Sequence, residues 1–220
     1  MMRFVRDNAL TIALLTLFAF SLVGQVFTGW NFQNEQRTEH QEPTLSLGAY
    51  LASGDFLSAL FENWESEFLQ MSGYVVLTAY LVQRGSPESK KPDEQNPQDT
   101  DPKRSPRKAD APWPVRRGGL ALQLYSHSLG LVLILLFLAS FVLHWINSWR
   151  KAAEEAASHG QPPEGLSQYL VGSEFWFESF QNWQSEFLST AVLIVLAIWL
   201  REKGSPESKP IAAPHGKTGA

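Results

Sequence analysis

Two long apolar runs dominate the hydrophobic pattern of the chain. Residues 9–27 contain no charged side chain, and residues 129–146 are interrupted only by His144. Each run approaches the roughly 20 residues that a helix needs to cross the hydrocarbon core of a bilayer. The pattern therefore predicts transmembrane helices over about residues 9–27 and 129–149.

Two shorter apolar runs, residues 68–82 and 187–200, each follow an amphipathic stretch that contains a tryptophan. Tryptophan favours the headgroup level of a membrane, so each span is expected to begin at that residue. Two further spans are predicted in this way, over about residues 64–82 and 183–200.

The helices that contain these shorter spans have recognisable ends in the sequence. We expect one helix over about residues 55–84 and another over about residues 174–203, with Ser173 as an N-cap. A cation, a glycine and Ser-Pro follow each helix, which predicts that Gly85 and Gly204 adopt the left-handed conformation of a C-cap.

The two halves of the chain resemble each other. At an offset of 119 residues, 30 of the 82 positions from Ala9 to Lys90 are identical without a gap, whereas chance gives about one in fifteen. The sequence Gly-Ser-Pro-Glu-Ser-Lys occurs at both residues 85–90 and residues 204–209. A period of this length indicates duplication of a whole structural unit.

Each unit has two spans, so both units enter the membrane from the same side. The predicted fold is an all-α membrane protein with four transmembrane helices, arranged as two parallel two-helix repeats with pseudo-two-fold symmetry, and not as inverted repeats. The first repeat comprises residues 1–84 and the second comprises residues 119–204.

The basic residues predict the orientation. Fifteen of the 18 Lys and Arg residues lie in the N-terminal segment, the central connection and the C-terminal tail, and three lie in the other two loops. Because cytoplasmic loops carry the excess of Lys and Arg, both termini and the central linker are predicted to be cytoplasmic.

The central linker, residues 85–118, is rich in proline and charge, and the tail comprises residues 205–220. Such a composition buries too little apolar surface to offset the entropy of ordering, so both segments are predicted to be disordered. The basic residues of the linker favour contact with anionic lipid, and nucleic acid is not an expected partner.

The most distinctive motif is Asn-Trp-x-Ser-Glu-Phe-Leu, which begins at Asn63 and again at Asn182. The repeated Phe-x-Asn-Trp-x-Ser-Glu-Phe-Leu sequence and the Gly-Ser-Pro-Glu-Ser-Lys ends resemble an uncharacterised bacterial family of small membrane proteins, known as a domain of unknown function. The resemblance covers nearly the whole chain outside the linker. It implies a multi-pass protein of the bacterial inner membrane and no particular activity.

On a helical wheel Glu67 falls within the apolar arc of its helix, with Asn63 one turn earlier, and Glu186 and Asn182 repeat this placement. A carboxylate on an apolar face near a membrane boundary is costly without a partner. Two interpretations are open: a pair of carboxylates that binds a cation or a proton, and a structural hydrogen-bonded clasp. The clasp is preferred because buried polar groups are usually satisfied by structural partners.

Gln25 and His144 occupy equivalent positions near the outer ends of the first and third spans. Histidine titrates near neutral pH, so a proton relay is one interpretation. A hydrogen bond between helices is the preferred one.

The chain has no cysteine, and it contains no zinc-protease, phosphate-loop or serine-hydrolase motif. We therefore expect a protein that is not an enzyme and needs neither a metal nor a cofactor. A non-catalytic scaffold or accessory protein is the preferred function, with the lipid bilayer and a membrane protein or a second copy as partners. The alternative is a small oligomeric transporter or channel that uses the paired glutamates.

Overall fold

A computed structural model describes residues 2–102 and 110–219. These residues form α-helices joined by turns and contain no β-strand, as the all-α prediction requires. The helices are α1 (Met2–Asp7), α2 (Ala9–Glu39), α3 (Leu47–Leu51), α4 (Gly54–Thr78), α5 (Trp113–Arg117), α6 (Gly119–Ser126), α7 (Ser128–Ser158), α8 (Leu166–Val171) and α9 (Ser173–Trp199).

The helices α2 and α7 are long and apolar enough to cross a membrane. Each has 31 residues, and their most apolar segments have mean hydropathies of 2.1 and 2.6. At 1.5 Å per residue each helix is about 46 Å long, more than the hydrocarbon core. The helices α4 and α9 do not pass the same test, because polar residues occupy their first halves.

Equivalent helices begin at equivalent positions of the two halves. The helix α2 and the helix α7 both begin and end 119 positions apart. The same offset separates the first residue of α3 from that of α8, and the first residue of α4 from that of α9. The internal similarity of the sequence therefore extends to the position of its helices.

One of two compact units comprises residues 2–60 and 143–169. Within it, Trp30 Nε1 donates to the Leu45 carbonyl at 2.7 Å, and the equivalent Trp149 Nε1 donates to the Glu164 carbonyl at 2.8 Å. Each tryptophan thereby ties the end of a long helix to the loop that follows it.

Gly54, the first residue of α4, approaches the backbone of α7 closely in this unit. A Cβ atom at Gly54 would lie 2.6 Å from the Lys151 backbone nitrogen and 3.0 Å from the Asn147 carbonyl oxygen. Glycine is required here for close contact between two helices.

The other unit comprises residues 61–142 and 170–219. Here α4 and α9 end earlier than the sequence predicts, at Thr78 and Trp199 and not near residues 84 and 203. The side chain of Ser89 accepts a hydrogen bond from the Gln83 backbone at 2.9 Å. This bond and its counterpart in the second half, between Ser208 and the Glu202 backbone at 2.9 Å, hold the following residues in turns.

The predicted caps are partly correct. Gly85 and Gly204 have positive φ values of 90° and 88°, as predicted, but both lie in loops beyond the helix ends. Ser173 is the first helical residue of α9, and its extended neighbour Gly172 takes the N-cap position.

The linker and the tail contain defined turns within the described residues. A 3-10 helix covers Pro97–Asp99, and Asn96 closes a turn by accepting from the Lys91 backbone at 2.9 Å and donating to its carbonyl at 2.9 Å. Residues 103–109 and 220 lie outside the described residues. Disorder of the linker and the tail in solution stays a prediction.

Candidate functional site

A row of polar contacts joins α4 to α9, and we name it the polar ladder. It consists of three hydrogen-bonded pairs, namely Glu62 with Asn182, Glu65 with Trp183, and Gln70 with Thr190. Residue numbers rise along the ladder on both helices, so α4 and α9 run in the same direction here. The two residues of each pair are 118 or 120 positions apart in sequence. Because equivalent residues of the two halves are 119 positions apart, each residue pairs with a neighbour of its own equivalent.

The central pair of the polar ladder contains a fully buried carboxylate. Glu65 has no exposed surface, and its Oε1 accepts a hydrogen bond of 2.9 Å from Trp183 Nε1. An ionised carboxylate inside a protein is strongly disfavoured unless donors replace its hydration. The indole supplies one of those donors.

Aromatic packing holds Trp183 in position. Its ring centroid lies 5.4 Å from that of Phe180, 6.1 Å from that of Trp176 and 6.2 Å from that of Phe137. All three contacts have the edge-to-face arrangement that aromatic pairs prefer. A side chain fixed on three sides can present its N–H to one acceptor without a large loss of entropy.

The structure brings only part of the predicted polar set into the polar ladder. Asn182 belongs to it, whereas Asn63 and Glu67 are exposed and Glu186 is half-buried. The carboxylates of Glu67 and Glu186 are close enough to repel each other electrostatically. Whether they bind a cation or a proton stays a hypothesis.

Sequence reasoning did not identify Glu62 and Glu65. Both lie on the polar side of the α4 helical wheel, away from the apolar arc that contains Glu67. The helix turns this polar side towards α9. The missed signal is that a helix can turn its polar face towards a neighbouring helix, where polar side chains find hydrogen-bond partners.

The two residues of the second predicted pair, Gln25 and His144, differ in their exposure. His144 is fully buried on α7, and Gln25 is half-buried on α2. Within the described residues, no group of three or more His, Asp or Glu side chains is arranged to hold a metal ion.

A cavity lies between the C-terminal halves of α4 and α9. Its volume is about 410 Å³, and the loop at residues 83–89 closes one end. The walls are mainly apolar, and a carboxylate of the closing loop, that of Glu88, also lines the space. We name this space the α4–α9 cavity.

The two Gly-Ser-Pro-Glu-Ser-Lys loops have matching local geometry. The Glu88 backbone N–H donates to Ser86 Oγ at 3.3 Å, and the Glu207 N–H donates to Ser205 Oγ at 3.2 Å. The two glutamate side chains also interact. Burial, a hydrogen bond with the Glu207 side chain and the negative charge of Glu207, in that order, raise the pKa of Glu88.

The C-terminal tail is tied to the first of these loops through Lys209. The ammonium group of Lys209 is buried and donates to the carbonyls of Gly85 at 2.7 Å, His215 at 2.7 Å and Lys217 at 3.3 Å. Burial, and then the charge of Arg201, lower the pKa of Lys209. The three carbonyl dipoles offset part of the cost of burying this cation.

The chain belongs to a family defined by a domain of unknown function, DUF6766, whose model matches residues 1–220. No curated protein and no solved structure shows significant similarity to the chain. The resemblance inferred from the repeated motif is confirmed to the extent that the family is one of unknown function.

Proposed function

We propose that this member of the family is a four-span protein of the bacterial inner membrane with both termini in the cytoplasm. It acts as a non-catalytic scaffold or accessory protein for another membrane protein or for a second copy of itself. Its spans form two parallel repeats related by a pseudo-two-fold axis along the membrane normal.

The parallel repeats are supported by the polar ladder. A two-fold axis between α4 and α9 would place each residue of α4 close to the equivalent residue of α9. The three pairs have sequence separations of 118 and 120, close to the repeat offset of 119, and the two helices run in the same direction. Inverted repeats would give antiparallel partners.

The four spans are supported by the distribution of apolar side chains. None of the residues of α2 is buried, and large apolar residues of α9 such as Leu188 and Leu193 are 61% and 50% exposed. A soluble protein rarely exposes continuous apolar surface of this extent. Lipid or a partner helix would cover these faces.

The observation that best supports the non-catalytic role is the hydrogen bonding within the polar ladder. Its amide, indole and carboxylate groups are hydrogen-bonded to one another, with Glu65 fully buried. Groups engaged in this way stabilise helix association in a membrane and are not free to bind a transported ion. The ladder therefore favours a structural clasp.

Co-purification tests this role. The intact protein, tagged at its C-terminus and extracted from its own membranes in a mild detergent, should retain a stoichiometric partner or a second copy in native mass spectrometry. An unrelated four-span protein of equal expression serves as the control. A lone monomer, with every associated protein also present in the control, would contradict the proposal.

A small oligomeric transporter or channel is the second candidate, favoured by the mutual repulsion of Glu67 and Glu186. Two carboxylates that repel each other provide a place for a cation between them. Reconstituted vesicles should then show a cation or proton flux that Glu67→Gln and Glu186→Gln abolish. Equal leakage from wild-type, variant and protein-free vesicles would exclude this candidate.

A further inference from the structure

The α4–α9 cavity has the size and the walls of a small-molecule site. Its volume of about 410 Å³ falls in the range of roughly 300–1,000 Å³ that is common for ligand pockets. Leu77 and Leu81 line one side, and Ala191, Ile194 and Val195 line the other. Such walls favour an apolar body.

The end formed by the loop contains a carboxyl group. Glu88 lines the cavity, and its Oε1 atom is buried without a hydrogen-bond donor among the described residues. The neighbouring side chain is Glu207, a second carboxyl, and a hydrogen bond between the two groups requires a proton on one of them. The apolar space therefore ends at the carboxyl group of Glu88, which lies beside that of Glu207.

Five of the basic side chains around this loop are bonded to other acceptors. Arg84 pairs with Asp93 at 3.2 Å, and Lys91 pairs with Glu94 at 3.3 Å. Lys90 contacts Asp99 and the Ala79 carbonyl, and Lys209 contacts three backbone carbonyls. Arg201 contacts carbonyls that include those of Leu200 and Ala213. None of these contacts neutralises Glu88.

We propose that the α4–α9 cavity binds a small amphiphile with an apolar body and one cationic group, which the carboxylate of Glu88 recognises. The apolar body lies between Leu81 and Ile194, and the cation lies at the loop. Charge complementarity selects a cation over a neutral or anionic molecule of the same shape. This inference goes beyond the scaffold role and does not depend on it.

Equilibrium binding of tetraphenylphosphonium to the full-length protein tests the site. This permanent cation has an apolar surface, and the anion tetraphenylborate has nearly the same shape. The protein in a non-ionic detergent should bind the cation saturably, with one site per chain, and should bind the anion no better than empty micelles do. Empty micelles and an unrelated four-span protein give the background.

Two variants with different physical effects locate the site. Glu88→Gln removes the charge and keeps the size of the side chain, and should weaken binding by about tenfold or more. Ala191→Phe fills the cavity without changing the charge, and should also abolish saturable binding. Glu202→Gln removes an exposed carboxylate beyond the end of α9, so it should bind as the wild type does.

The pH dependence of binding adds a signature that a surface site would not share. Because only the ionised form of Glu88 attracts the cation, affinity should rise with pH. The raised pKa of Glu88 places this rise above the usual glutamate range, and Glu88→Gln should remove it. The charge of tetraphenylphosphonium does not change with pH, so the pH dependence of binding comes from the protein.

Several outcomes overturn the proposal. These are the absence of saturable binding, equal binding of the borate anion, and cation binding that survives both Glu88→Gln and Ala191→Phe. A pH-dependent stability that Glu88→Gln removes, without cation binding by any variant, would show that the pair holds only a proton. If Glu88→Gln does not fold, Ala191→Phe and the anion comparison still decide the question.

Discussion

The indole of Trp183 donates a 2.9 Å hydrogen bond to Glu65, a carboxylate with no exposed surface. The two residues belong to different halves of the chain and lie on parallel helices. Their contact connects the two halves of the chain through one buried polar group, and it leads to the first prediction.

Trp183→Phe should keep most of the aromatic packing and leave Glu65 without this donor. We expect a loss of about 1–3 kcal/mol in the free energy of unfolding, because a buried acceptor loses a partner. Thermal unfolding in detergent measures the effect. Combining Trp183→Phe with Glu65→Gln should cost less than the sum of the single changes, since both remove the same bond. Strict additivity would show that the contact contributes nothing.

Glu67→Gln serves as the comparison, because this carboxylate is exposed and lies outside the polar ladder. We expect a change within about 0.5 kcal/mol, which is usual for surface substitutions. The same holds for Glu67→Ala if the side chain is only solvated. A large loss in the Ala variant with little loss in the Gln variant would instead support a structural clasp between Glu67 and Glu186.

The acidic pair at the loops should make stability depend on pH. The folded-state pKa of Glu88 is raised above its unfolded value, so its proton stabilises the fold fully below the usual glutamate range of about 4. That contribution is lost as the pH rises through the raised folded-state pKa. The Tm of the wild type should fall across this window, and the fall should be smaller in Glu88→Gln. Parallel curves for wild type, Glu88→Gln and the control Glu202→Gln would contradict this prediction.

Gly54→Ala should destabilise the protein, because its new Cβ would lie 2.6 Å from the Lys151 backbone nitrogen. Backbone atoms cannot move aside as a flexible side chain can, and we expect a cost of about 1–3 kcal/mol. Gly48→Ala is the matched control, since a Cβ there meets no atom within 4 Å. Equal Tm values for the two variants would show that the helices separate without cost.

The proposed topology can be measured by single-cysteine labelling, because the natural chain has no cysteine. Ser46→Cys, in an external loop of the proposed topology, should react with a membrane-impermeant maleimide in intact cells. Ser205→Cys, in the proposed cytoplasmic tail, should react only after the membrane is opened. Labelling of Ser205→Cys in intact cells would exclude a cytoplasmic C-terminus.

The linker should divide into a structural part and a dispensable part. Replacing residues 100–112 with a Gly-Ser segment of equal length should leave Tm unchanged, as its composition suggests. Replacing residues 86–89 with glycines should lower Tm, because it removes the Ser89 hydroxyl, which accepts from the Gln83 backbone at 2.9 Å, and the Ser86 hydroxyl, which accepts from the Glu88 backbone at 3.3 Å. Equal stability of both replacements would show that the loop contacts are dispensable.

The sequence by itself determined the features that depend on local pattern. The two long apolar runs predict α2 and α7, because apolar length is a property of the chain alone. The offset of 119 predicts that equivalent helices begin at equivalent residues, as they do. The positive φ values of Gly85 and Gly204 follow from the Gly-Ser-Pro context, which sets the backbone locally.

Only the tertiary structure decided which carboxylate is buried. A helical wheel identifies an apolar arc but not the direction in which that arc faces, and here the polar side of α4 faces α9. Glu65 is therefore buried, and Glu67 is exposed. The α4–α9 cavity and the burial of Lys209 depend on segments more than 100 residues apart, and a local pattern contains no information about their approach.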